Sequence, residues 1–154
     1  MEWQEIRTAA QAAAFMTRVN DFHDGCLREA HVWTGHWVGD DLAMAVDSGL
    51  DTHVRLLVQR QYRPLSAVEL VFDEVTRFHV RPSLPDHDGI IYEATLHVAA
   101  GQVYWADQAG WTPEAEDRDD ATWVAGRRLR WRDASGWMGP QLRYGPPDAT
   151  APAP

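Results

Sequence analysis

The chain has 154 residues, 45% of them hydrophobic and 24% charged, with a formal net charge of -9 and an isoelectric point near 5.1. That length suits one domain, and the composition excludes a largely disordered chain. The negative charge repels phosphate backbones and anionic membranes, so neither nucleic acid nor a lipid surface is expected as partner, whereas a basic partner is electrostatically easier; an acidic balance kept for solubility is the plainer account.

The first element is a helix over residues 8–19. Thr8 and Gln11 form a capping-box pattern, alanines fill the following positions, and Ala12, Phe15, Met16 and Val19 recur at helical spacing, giving a stripe that can lie on a sheet. Asn20, Asp21 and Gly25 break it. From Cys26 the period changes to two. Residues 27–37 read as a long strand bent at Gly35, Gly39-Asp40-Asp41 turns it into 42–46, and Ser48-Gly49 turns the chain again. Residues 52–62 place Val54, Leu56 and Val58 on one face and His53, Arg55, Leu57 and Gln59 on the other.

Beyond Pro64, residues 67–72 point Val68, Leu70 and Phe72 inward, and Asp73-Glu74 kinks or turns the chain into 75–81. Pro82 and Pro85 mark a loop ending near Gly89. Ile90, Tyr92, Ala94, Leu96 and Val98 make an alternating stripe facing away from Glu93, Thr95 and His97, and Ala100-Gly101 leads into 103–105. An acidic loop over 107–120 precedes a last strand, 122–131, with Leu129 and Trp131 opposite Arg128, Arg130 and Arg132.

These elements define an α+β fold that is mainly antiparallel β: one N-terminal helix packed on a curled sheet, a half-barrel or sandwich of about seven to eight strands. A single domain is expected over 1–144, followed by a Pro/Ala-rich tail over 145–154.

All 14 basic residues are Arg, while Asn occurs only at Asn20 and Ile only at Ile6, Ile90 and Ile91; codon composition in a high-GC bacterial genome accounts for this. The single cysteine, Cys26, excludes an internal disulfide and is read as a buried structural thiol in a reducing compartment. With no leader-like segment and no apolar run near the ~20 residues that span a bilayer, the expected location is the cytoplasm.

Three histidines carry the one constellation with chemical potential. His53, His79 and His97 each lie opposite the apolar stripe of their strand, so neighbouring strands would let them share Zn2+ or another transition metal. Arg55, Glu69, Arg77 and Glu93 on the same face outline a polar ligand groove, although the two arginines oppose a cation. A solvated sheet face with unlinked histidines is the simpler expectation, with no cofactor. His23-Asp24 reads as a cap and turn, Asp86-His87-Asp88 as a solvated turn, and Glu114 to Asp120 as a solvated acidic loop. No nucleophile elbow or phosphate-binding glycine loop occurs. Of eight tryptophans, Trp3, Trp111 and Trp137 fall outside the expected strands and are the ones to cover a sheet edge or meet a partner.

The run Phe22-His23-Asp24-Gly25-Cys26-Leu27-Arg28-Glu29, then Gly35, Gln59-Arg60-Gln61 and Glu69-Leu70-Val71-Phe72, resembles small β-rich bacterial proteins of unknown function over residues 15–98. That resemblance implies a β-rich fold and no activity. Function is expected to be non-catalytic: binding a protein partner, as an acidic toxin-neutralising immunity protein does, or forming a homo-oligomer. The alternative is a small metal-dependent enzyme or ligand-binding protein that uses the strand histidines.

Overall fold

The computed structural model describes residues 2–46 and 48–145. The chain runs β1 (Gln4–Ile6), α1 (Ala9–Arg18), β2 (Gly25–Trp33), β3 (Trp37–Val38), β4 (Met44–Ala45), β5 (His53–Arg60), β6 (Ala67–His79), β7 (Thr95–Ala99), β8 (Gln102–Ala106) and β9 (Trp123–Asp133). One sheet has the order β2-β5-β6-β9-β8-β7, with β1 paired to β9, and every pairing is antiparallel. Strands β3 and β4 form a separate two-stranded hairpin. The fold is therefore the expected α+β arrangement of one helix on a mainly antiparallel sheet, and the sheet does not close.

The helix forms where its signals lie. Thr8 accepts a hydrogen bond from the Gln11 backbone at 3.2 Å, and the Gln11 side chain accepts one from the Thr8 backbone, satisfying two otherwise orphaned N–H groups. Phe15, Met16 and Val19 bury their side chains on the inner face of the sheet, each burial contributing about 1.5–3 kcal/mol. Phe15 packs on Trp131 of β9 with ring centroids 4.7 Å apart, and Phe22 meets Trp105 of β8 edge-on at 6.1 Å. Val54, Leu56, Val58, Val68, Leu70, Phe72 and Leu129 complete this core, all fully buried.

The sheet curls until its β2 edge is bridged to the segment ahead of β7. Gly25 of β2 and Ile91, just ahead of β7, exchange backbone hydrogen bonds across the gap at 2.7 and 3.4 Å. Gly25 cannot be larger: a Cβ there would lie 2.7 Å from the Phe22 carbonyl oxygen. At the β7–β8 hairpin both Ala100 (φ 51°) and Gly101 (φ 74°) are left-handed, the combination that matches a tight turn to the right-handed strand twist.

Several expectations need correction. The strand expected over 90–98 begins only at Thr95, and Ile90 and Tyr92 are exposed while Ile91 and Ala94 are buried. The bridge to Gly25 fixes Ile91 inward and shifts the alternation by one residue. The strand expected over 27–37 stops at Trp33. Residues 67–79 form one strand rather than two; Glu74, at φ 52°, marks the kink, and a bulge follows between Val75 and Arg77. Of the expected tail, only Gly145 falls within the described residues.

Candidate functional site

Alternation along the strands sends His53, His79 and His97 to the outer face, as their spacing requires, but strand order separates them. Strands β9 and β8 lie between β6 and β7, so His97 stands three strand spacings, roughly 14 Å, from the strand carrying His79. His53 lies beside Asp73, and from there His79 is six residues along β6, roughly 20 Å. Each imidazole has its own partners. His53 Nδ1 meets Asp73 Oδ1 at 2.7 Å while its ring stacks on Trp33 at 5.0 Å; His79 Nε2 meets the Asp119 carbonyl at 3.0 Å; His97 lies against Tyr104 at 5.0 Å. They cannot share one ion. Among the described residues no three His, Cys, Asp or Glu side chains gather as a metal ion would need.

Of the four groove residues, Arg55 and Glu69 come together at 3.3 Å, whereas Arg77 is exposed at the β6 bulge and Glu93 is exposed in the loop before β7. The missing partners come from β9. Arg132 reaches Glu69 at 2.5 Å and Arg130 reaches Asp73 at 3.3 Å, because β9 pairs β6 with Glu69 opposite Arg132. Glu69 is fully buried between its two guanidinium groups. Arg55 lies over the rings of Trp33 and Tyr144, and Arg132 over Trp3 and Trp137, all within 5.3 Å of the ring centroids.

Two flaps cover the ends of this face. The segment after β9 folds back across β5 and β2: Gln59 donates to the carbonyls of Trp137 and Gly139, and the Glu29 carboxylate accepts the backbone N–H groups of Arg143 and Tyr144 at 2.8 and 3.1 Å. Burial beside the Glu69 carboxylate pushes the Tyr144 phenol well above its ordinary value, so it stays protonated. The loop after β8 lays Trp111 on Trp123 at 5.0 Å over Ala106 and Ala125. Trp111 and Trp137 are thus packing residues, and Trp3 is half-buried under Arg130 and Arg132. The His53–Asp73 pair has the form of an oriented base, but Trp33, the other ring packed on it, supplies no hydroxyl or thiol to activate. The network ties strands and flaps together.

The other sequence features fall as turns. His23 Nδ1 contacts the Tyr92 carbonyl at 2.6 Å, and Asp88 accepts from the Ile90 backbone and the Tyr92 hydroxyl. Cys26 is exposed rather than buried; it lines a cleft of about 640 Å3 between β2 and the loop 80–91, where the half-barrel stays open. Asp107 borders the same cleft. Burial pushes its carboxyl above the ordinary 3.8, although the Thr122 N–H donated to it at 2.9 Å opposes this. Because the folded value is the higher one, ionisation disfavours folding as pH rises from 3.8 through that folded value. Asp107→Asn, which keeps the acceptor, should lack that component: the difference in thermal midpoint between variant and parent should move in favour of Asn as pH rises through the window.

The most exposed apolar surface is the β3–β4 arm. Trp37 is 64%, Leu42 84% and Met44 72% exposed, and Val38 and Val46 on the same hairpin are more than half exposed. The hairpin is closed by Gly39 N–H to the Ala43 carbonyl at 2.9 Å and by the Asp41 carboxylate accepting the Ala43 N–H at 3.0 Å. No strand of the large sheet pairs with it among the described residues. Spacing alone set Trp37 in a packed strand. The available signal was local: five carboxylates, Glu29, Asp40, Asp41, Asp47 and Asp51, and not one Arg stand between Arg28 and Arg55.

No protein-family model matches this chain, and comparison with curated proteins and with solved structures finds no significant similarity.

Proposed function

We propose that this chain is a non-catalytic, cytosolic bacterial binding domain whose β3–β4 arm seats in an apolar cleft on a basic protein. The observation that carries the reading is the arm itself, a short hairpin with Trp37, Leu42 and Met44 mostly exposed, in a stretch of chain whose formally charged residues between Arg28 and Arg55 are all carboxylates. Exposed apolar residues scattered singly are ordinary, but several on one short hairpin, Trp37 on one face and Val38 with Met44 on the other, suit an element inserted into a partner. A second copy is the weaker occupant, because a two-fold contact through the arm would set two groups of Asp side chains against each other. An immunity protein that neutralises a basic toxin is one concrete version.

The test uses Trp37→Ser, Leu42→Ser and Met44→Ser, singly and together. Leu42→Ser should leave unfolding stability within about 0.5 kcal/mol of the parent, and Trp37→Ser and Met44→Ser should each cost no more than about 2 kcal/mol, since these side chains are mostly exposed. The parent should be a monomer by light scattering. Trp37→Ser should weaken a purified, identified basic partner about 30-fold or more, as loss of an aromatic anchor does. A parent dimer that the triple variant dissolves would instead make the arm a self-association element.

A further inference from the structure

Alternation along β5 places Arg60 on the inner face after Val54, Leu56 and Val58, so a guanidinium enters the end of the apolar half-barrel. Arg60 is 2% exposed, and its Nε and both Nη atoms are buried with no hydrogen-bond partner. The Tyr62 ring lies over it at 5.2 Å, which offsets part of the lost hydration, and burial pushes its pKa down. No carboxylate pairs with it among the described residues: Asp24, nearby in the chain fold, is half-exposed and turns to His23 at 3.6 Å. A buried, unpaired charge is costly, and proteins retain one where something else supplies the counter-charge.

We propose that Arg60 anchors an oxyanion, a carboxylate or a phosphate group, in the cavity it borders. That cavity, of about 270 Å3, is also lined by Gly25, Cys26, Gln61, Ile90, Met138 and the half-exposed Asp24, whose carboxylate faces His23, and it shares Cys26 and Ile90 with the 640 Å3 cleft. A planar guanidinium fork matches two oxygens of either group, and the Gln61 amide is a further donor on the wall. Met138, 43% exposed on the segment after β9, lines the same cavity. An anion carrying an apolar body would place that body in the cleft against Leu27, Val80 and Leu84.

The test is the thermal midpoint of the full chain in rising inorganic phosphate and, separately, rising acetate and octanoate, each against sodium chloride at matched ionic strength. A saturable rise with one oxyanion and none with chloride is expected, following ligand linkage. A phosphate response assigns a phosphate head, and an acetate or octanoate response a carboxylate. Arg60→Met, which keeps the packed stem, should weaken that binding at least ~100-fold and should melt no lower than the parent without anion, because it removes an unpaired buried charge. In the parent, the Arg60 Nε–H resonance should shift on titration with the same anion, a readout that needs no variant. An equal response in Arg60→Met, or an unmoved Arg60 resonance together with midpoints equal to those in chloride, would overturn the proposal. Either result leaves the arm reading untouched.

Discussion

Arg132→Met should cost about 3 kcal/mol of folding stability, measured by urea unfolding, even though Arg132 is partly exposed. The reason is Glu69. Its carboxylate is fully buried between Arg132 at 2.5 Å and Arg55 at 3.3 Å, and removing the closer cation leaves a buried charge with a single, longer pair. Breaking such a pair typically costs about 3–5 kcal/mol; the lower end applies because Arg132, with a side chain 26% exposed, lets water replace part of the interaction. The variant also loses the contacts over Trp3 and Trp137. Replacing the whole set, as Arg55→Met, Glu69→Leu and Arg132→Met together, should recover most of the loss, since no charge is then left unpaired. Recovery would show that pairing, rather than the volume of the Arg132 stem, sets the cost.

Trp105→Ala should be as damaging, at about 3–5 kcal/mol out of the roughly 5–15 kcal/mol that holds an ordinary domain together. Trp105 is the largest fully buried side chain, and it transmits the packing of Phe22, and through it Phe15 and Trp131, from the helix to the sheet. Trp105→Phe separates two effects. It keeps an aromatic ring against Phe22 and removes an indole N–H that is buried without a partner, so it should cost less than about 1.5 kcal/mol. Chemical denaturation of both variants checks the difference.

The parts of this fold that were legible in the sequence are those whose signals are local. The Thr8–Gln11 cap, the alternation of β5 and β9, and the kink at Asp73-Glu74 each depend on neighbours a few residues away. Strand β1 was not legible because three residues are too short to show a period. The start of β7 was misplaced because a distant contact, Gly25 with Ile91, overrides the local stripe. The histidines show the same division: their face follows from period two, but their separation follows from the last strand, β9, inserting between β6 and β8. That insertion also brings Arg130 and Arg132 to Asp73 and Glu69, partners that no spacing rule reveals.

The arm is the part of the molecule that packing explains least. Leu42, Met44 and Val46 keep the strand alternation of the core, yet all are mostly exposed, and the charged residues of this stretch of chain are carboxylates, which disfavour a second copy. A photo-activatable cross-linking residue placed at Leu42, 84% exposed, tests this most directly when irradiated in the cells that make the protein. One discrete adduct with a basic protein is expected, absent when the cross-linker is moved to the exposed helix position Ala10. A homodimer adduct alone, or no adduct at Leu42, would contradict it.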